Sequence, residues 1–246
     1  MRLHRPKLAW YLPALALLVT CSAPQHPANA PRQGSAAIHP VSLRPNVVLR
    51  AGWHADEKDV RPGLVYDHSV KAVFVHHTDN PNTYDCRTDV PKMLLALEQR
   101  HIALGWDDLG YNFIVDRCGG IYEGRTGSVD RDPRGSHTEG FNNDTVGIAA
   151  LGNFGGGQKV PHAMLEAIAE IAAWKLDPGV NPLGRVRLVS SNNASLYRKG
   201  TAAELNVISG HRDVYQTDCP GQALYDDLPW VRQEAARLRQ QAARDG

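Results

Sequence analysis

Apolar residues gather along this chain in two kinds of segment: short runs rich in β-branched and aromatic residues, and longer stretches with helical spacing. "KAVFVHHT" is a short apolar run ending on polar residues, which predicts a buried strand. In "TDVPKMLLALEQRHIALG" the residues Met93, Leu94, Leu97 and Ile102 recur at helical spacing. A Thr/Asp cap precedes them, Pro91 sits in the first turn and Gly105 is a natural stop, so a helix is expected. "YNFIVD" and "GIYEGR" predict a hairpin turning at Gly119 and Gly120, and "TVGIAALG" predicts another buried strand. "HAMLEAIAEIAAWKL" reads as an amphipathic helix closed by Asp177, Pro178 and Gly179. "RVRLVSS" and "LNVIS" are expected strands around a polar insertion, "NNASLYRKGTAAE". The final "LPWVRQEAARLRQQAARD" is a charged helix that packs Trp230, Val231 and Leu238. Helices interleaved with short strands predict an α/β fold: a single domain with a central mixed β-sheet flanked by helices.

The N-terminus departs from this pattern. "MRLHRPKLAWYLPALALLVTCSAP" has a basic start and an apolar run from Leu8 to Val19, broken by Pro13. Its length and flanks predict an export signal over residues 1–30, too short to span a bilayer comfortably. The competing reading is a buried N-terminal helix. Two exits stay open: "LVTC", an imperfect lipobox that would place a lipid anchor on Cys21, and "ANA" at Ala28–Ala30, followed by Pro31. Residues 31–47, rich in Pro, Ala, Gln and Ser, are expected to form a flexible linker, with the folded domain over 48–246. No further apolar stretch reaches membrane length. The chain has 246 residues, 42% of them hydrophobic, enough for one sizeable core. Lys plus Arg is 27 against 26 Asp plus Glu, a balance that suggests neither nucleic acid nor an anionic membrane as partner.

Cysteine usage raises a sharper question. Of the four cysteines, Cys21 would be removed or lipidated on export. Cys86 precedes the first helix and Cys118 lies at the hairpin turn, both in loops where a bridge is sterically reasonable, although spacing alone does not prove one. If they pair, Cys219 is left over in a chain expected to meet oxidising surroundings. Such a thiol is explained by burial, nucleophilic chemistry, intermolecular pairing or metal ligation. Cys219 sits in the polar turn "HRDVYQTDCPG", eight residues after His211, which itself follows the strand "LNVIS" and Gly210. His76 likewise ends the run "AVFV". Two histidines at strand ends and a cysteine in a facing loop would converge at one sheet edge. A His/His/Cys set with an open fourth position suits catalytic zinc, since the Cys-x-x-Cys pairs of structural sites are absent. A Cys219 nucleophile with His211 as its base also stays open on chemistry alone. His77 would face the other way and serve as a structural hydrogen-bonding group. The "HRD" tripeptide lacks the Gly-rich loop and "DFG" of a kinase.

"VFVHHT", "GWDDLGYNFIVD", "IYEGR", "GSHTEGFNNDTVGIAALGNF" and "ISGHRDV…TDCPG", in this order, resemble the peptidoglycan recognition protein / type 2 N-acetylmuramoyl-L-alanine amidase family. The resemblance begins near "RAGWHADE" and runs to "ALYDDLPWVR". It implies a central mixed sheet with a groove leading to zinc. It places the zinc ligands on His76, His211 and Cys219, and the catalytic positions on Tyr111 and Thr217. It places His137 and Asn142 along the substrate groove, with His101 and Trp106 as candidates for its wall and Arg125 as the partner of a stem-peptide carboxylate. The implied activity is zinc-dependent hydrolysis of the amide between N-acetylmuramic acid and L-alanine of peptidoglycan. The expected protein is bacterial, monomeric, and secreted or cell-wall associated. Competing readings are a non-catalytic peptidoglycan-binding protein, in which the cysteine is typically replaced, and a purely structural zinc site. Read without the resemblance, Tyr111 would be core, on one face with Phe113 and Val115, and "GSHTEGFNND" a polar surface loop. Thr126–Gly127 departs from the pair that animal relatives carry there, so no stem-peptide preference follows.

Overall fold

The computed structural model describes residue 39 and residues 43–245. The expected export signal and Cys21 lie outside the described residues. Six strands form one mixed sheet in the order β1 (Val47–Val48), β4 (Ile121–Glu123), β3 (Phe113–Val115), β5 (Thr145–Ala150), β2 (Ala72–His77) and β8 (Ile208–Gly210). All pairings are parallel except the β3–β4 hairpin. Three helices accompany them: α1 (Val90–Ala103), α2 (His162–Lys175) and α3 (Gln222–Asp245). A separate antiparallel pair, β6 (Arg185–Val189) and β7 (Ala202–Asn206), completes the fold. This is the mixed, helix-flanked sheet that the pattern of elements predicts.

Alternation along the strands divides the core between the two sheet faces. Val73, Val75, Phe113, Val115, Val146 and Ile148 point to the side covered by α2 and α3, where Ile168, Ile171, Leu224 and Val231 are buried with them. On the other face, Ile114 and Ala149 pack with Trp53 and with Leu94 of α1. Farther along that face, Ala72 and Phe74 pack with Leu188, Ala203 and Leu205 of the β6–β7 pair. His76 follows Phe74 on the same face, between these two covering layers.

Four details differ from the expectations. β7 begins at Ala202, inside the stretch expected to be a polar insertion, because Ala203 and Leu205 alternate onto Phe74. The last helix begins at Gln222, six positions before Leu228, and contains Pro229. The folded part also reaches back into the expected linker. Val47 pairs with Ile121, Leu43 packs on the core and His39 Nε2 lies 2.9 Å from Asp132 Oδ1. Lys175, at the end of α2, is 1% exposed and pairs with Asp132 at 2.6 Å.

Cys86 and Cys118 form a disulfide with an S–S distance of 2.06 Å and a Cα–Cα separation of 6.4 Å. It ties the entry of α1 to the β3–β4 turn. The cross-link spans a separation of 32 residues, and by chain entropy it should contribute about 4 kcal/mol through the unfolded state. A Cys86→Ser, Cys118→Ser double variant is therefore expected to lose about that much in urea denaturation. A loss below about 1 kcal/mol would show that the unfolded chain is already constrained there.

Candidate metal centre

β2 and β8 are parallel neighbours, with Val75 opposite Gly210, so their C-terminal ends reach the same sheet edge. His76 lies near the end of β2, and His211 begins the single 3-10 turn that follows β8. Asp213 holds that turn: its Oδ2 accepts from Gly210 N (2.9 Å) and its Oδ1 accepts from Tyr225 OH of α3 (2.6 Å). Arg212 then joins the His211 turn to the cysteine loop. Its backbone N–H donates to Cys219 O (2.9 Å) and its guanidinium donates to Asp218 O and Gln222 Oε1. Gly221 closes the loop at φ +89°, where a Cβ would stand 2.2 Å from Phe154 O, so no other residue fits without moving the backbone.

The result is one cluster. Ligand atoms of His76, His211 and Cys219 all lie within 4.8 Å of one another. Cys219 Sγ is 3.7 Å from His76 Nδ1 and accepts from His77 N at 3.3 Å. The His76 and His211 rings are 4.5 Å apart. Cys86, Asp116 and Cys118 are also close together, but those sulfurs are consumed by the disulfide.

Burial sets the protonation of the trio. It pulls the His76 pKa well below the ordinary value, with His211, His137 and His77 adding to the effect. Burial, helped by His77, brings His211 to about 4. The same burial pushes the Cys219 thiol up to about 12, against the opposing N–H of His77. At neutral pH the two imidazoles keep their lone pairs, and the thiol yields its proton only to a cation that takes its place. This donor set fits a zinc ion. It does not fit a thiolate–imidazolium pair, which needs the thiol pKa lowered and the histidine protonated.

Tyr111 approaches the cluster, its ring 5.1 Å from that of His76. It does not share a face with Phe113 and Val115, as simple alternation would have it. β3 begins only at Phe113, and Tyr111 packs with Ile114 and Leu109 on the opposite side of the sheet. Its carbonyl accepts from Arg125 N (2.8 Å), and burial raises the pKa of its phenol. Thr217 Oγ1 accepts from Cys219 N at 3.2 Å, beside the cluster.

Two cavities meet at the trio. One, of about 370 Å³, is lined by Trp106, Ser136, His137, Asn142, Tyr215 and His211. The other, of about 460 Å³, is lined by His77, Asp79, Arg212, Thr217 and Cys219. A larger cavity of about 770 Å³, between the starts of α2 and α3, contains none of the expected site residues.

The expected groove residues divide by what they touch. Trp106 lines the first cavity and stacks on His101, 4.4 Å away. His101 Nδ1 accepts from Gly110 N (3.0 Å), and burial, with Arg100 and Arg125 adding to it, lowers its pKa to about 4. The neutral ring therefore carries its proton on Nε2. Asn142 lines the cavity, but its Oδ1 is engaged by the N–H groups of His137 and Thr138. Arg125 is 3% exposed and donates to Leu109 O (3.2 Å), so its guanidinium braces the loop before Tyr111 and is not among the residues lining either cavity. Sequence reasoning missed Tyr215, which lines the first cavity and stacks on His211 at 5.2 Å and 11°. It also missed Arg212 and Asp213. Only Asp213 leaves a trace, as an acidic residue three positions after a strand-ending glycine.

The sequence profile described as N-acetylmuramoyl-L-alanine amidase matches residues 66–222. Human peptidoglycan recognition protein 3 is 30% identical over 219 residues, which cover 87% of this chain and 51% of that protein. The chain thus spans about half the length of that relative. Human N-acetylmuramoyl-L-alanine amidase is 31% identical over 197 residues, 79% of this chain and 28% of that one. Among solved structures, tracheal cytotoxin bound to the ectodomain complex of peptidoglycan recognition proteins LCa and LCx superposes with a TM-score of 0.55. It is 26% identical and covers 73% of this chain and 92% of that one.

Proposed function

This chain belongs to the peptidoglycan recognition protein / type 2 N-acetylmuramoyl-L-alanine amidase family, and from that premise we propose that it is an active, zinc-dependent amidase acting on peptidoglycan outside the cytoplasm. The observation that carries this reading is the buried, converging trio of His76, His211 and Cys219 with Tyr111 beside it. Relatives in the family include both amidases and recognition proteins, and the retained thiol favours catalysis.

His76, His211 and Cys219 would hold the metal. A zinc ion bound there would supply a Lewis acid that polarises the scissile carbonyl and acidifies water. Tyr111, kept protonated by burial, is a donor at neutral pH and would hydrogen-bond the oxyanion that develops as the amide carbon becomes tetrahedral. Thr217 accepts from Cys219 N, which leaves its own hydroxyl proton to donate to the same charge. Trp106 and Tyr215 would position the substrate in the cavity beside His211, and the His101 ring, backed by Gly110 N–H, presents a fixed donor next to Tyr111.

The competing reading is a binding protein with the same groove and no turnover, in line with the recognition proteins among its relatives. Dye-labelled peptidoglycan separates the two. The protein is expected to release soluble fragments with new N-terminal alanine, to stop doing so after chelation, and to resume when Zn²⁺ is restored. Fragment binding without new amino termini would make it a recognition protein, and turnover indifferent to chelation would remove zinc from the mechanism.

A further inference from the structure

We propose that His137 is a positioning residue for the metal site: it holds the His76 ring in the orientation and tautomer that ligation needs. The proposal rests on the reading of His76 as a zinc ligand.

His76 presents one nitrogen to the cluster and the other to His137. Its Nδ1 is the atom 3.7 Å from Cys219 Sγ, while its Nε2 lies 3.2 Å from His137 Nδ1. An imidazole that ligates through Nδ1 must carry its proton on Nε2, and that proton then needs an acceptor. His137 Nδ1 is that acceptor, which places the His137 proton on its own Nε2. There it faces Thr145 Oγ1 at 3.5 Å. Thr145 Oγ1 in turn donates to Phe141 O at 2.7 Å, leaving its lone pairs free. Every donor from His76 to the Phe141 carbonyl thus points the same way, and the chain of bonds ends on a backbone acceptor that cannot reverse it.

The surroundings are shaped for this ring. His137 is 5% exposed, and its ring lies 5.2 Å from that of His76 and 6.2 Å from that of Phe74. Asn142 Oδ1 accepts from the N–H groups of both His137 and Thr138, which fixes the backbone that carries the ring. Two glycines make the slot. A Cβ on Gly147 of β5 would stand 2.4 Å from His137 Cγ, and one on Gly135 would stand 2.4 Å from His137 Cδ2. Neither glycine has a positive φ, so close approach to this ring is what excludes a side chain. Residues 135–142, which composition reads as a surface loop, are therefore built to bring an imidazole behind His76.

The test is metal binding by the folded chain, independent of turnover. Zinc affinity is measured by competition with a chromophoric chelator, and Co²⁺ loading by its thiolate charge-transfer and visible bands. His137→Phe keeps the ring and removes the acceptor; it is expected to weaken zinc binding about 10–100-fold and to alter the cobalt spectrum. His137→Asn offers Oδ1 near the place of Nδ1 and is expected to restore most of the affinity. Gly147→Ala leaves every polar group intact and is expected to weaken binding by displacing the ring. Near-UV circular dichroism confirms that each variant is folded, and Gly147→Ala and His137→Asn carry the test if His137→Phe is not. A folded His137→Phe or Gly147→Ala variant with wild-type zinc affinity and an unchanged cobalt spectrum overturns the proposal. A wild-type chain that binds no metal overturns the zinc reading itself, a separate result.

Discussion

Replacing Cys219 with alanine should lower amide hydrolysis about 10³-fold or more, since the Lewis acid supplies several kcal/mol of charge stabilisation and each 1.36 kcal/mol is a factor of ten. The side chain is small and 8% exposed, so its removal opens little space. The one bond lost is that from His77 N to Sγ. The fold should therefore survive, and the loss will be chemical. His76→Ala and His211→Ala should do the same. Because the three act as one site, any double variant should be about as inactive as either single one. The measurement is release of new N-terminal alanine alongside zinc content of the purified variant. A Cys219→Ala protein that keeps both its zinc and more than a tenth of its activity would sink the ligand assignment. Activity lost with zinc fully retained would return Cys219 to the role of nucleophile.

The second large effect is on stability, far from the cluster. Lys175 Nζ is buried and surrounded by Asp132 Oδ1 (2.6 Å), Ser128 O (3.0 Å) and Arg131 O (3.1 Å). Burial lowers its pKa, and Asp132 is the group that opposes this and keeps the ammonium charged. Asp132→Ala leaves that charge unpaired in the core and should destabilise the protein by about 3–5 kcal/mol in urea denaturation. Adding Lys175→Met removes the orphaned charge and should recover much of the loss, a coupling that the double-mutant cycle reads directly. A single-variant loss below about 1 kcal/mol would mean that water reaches Lys175. The pair also carries a pH dependence. Burial alone would raise the Asp132 pKa, but His39 and Lys175 outweigh it and hold the pKa below its ordinary 3.8. A carboxyl with a lowered folded-state pKa stabilises above the unfolded value, so this contribution is intact above pH 3.8 and fades as the pH falls below it. Asp132→Asn should flatten the acid limb of the stability curve.

Much of this was readable along the chain. The runs before His76 and after Leu205, and the helical spacing in α1 and α2, report local burial, and burial repeats with the period of the element. Strands that end in histidine therefore announced themselves, as did a cysteine without a partner. The misreadings have local causes too. A two-residue strand such as β1 has no period to detect, and Asp226, Asp227 and Pro229 masked the true start of α3.

What the sequence determined by itself is the set of elements, the covering of the sheet, and the residue types available at one edge. Tertiary structure decided which of those groups meet. Lys175 and Asp132 are 43 positions apart, and nothing in an amphipathic helix says that its last lysine turns inward to a carboxylate. His137 and His76 are separated by 61 residues, and the bond between them exists because Gly147, on the strand beside β2, has no side chain to fill the space. Tyr111 changed faces because the strand starts two residues later than its apolar pattern. Periodicity records how a residue stands to its own element. Hydrogen-bond direction, charge pairing and metal ligation depend on distances between elements, which only the packed fold sets.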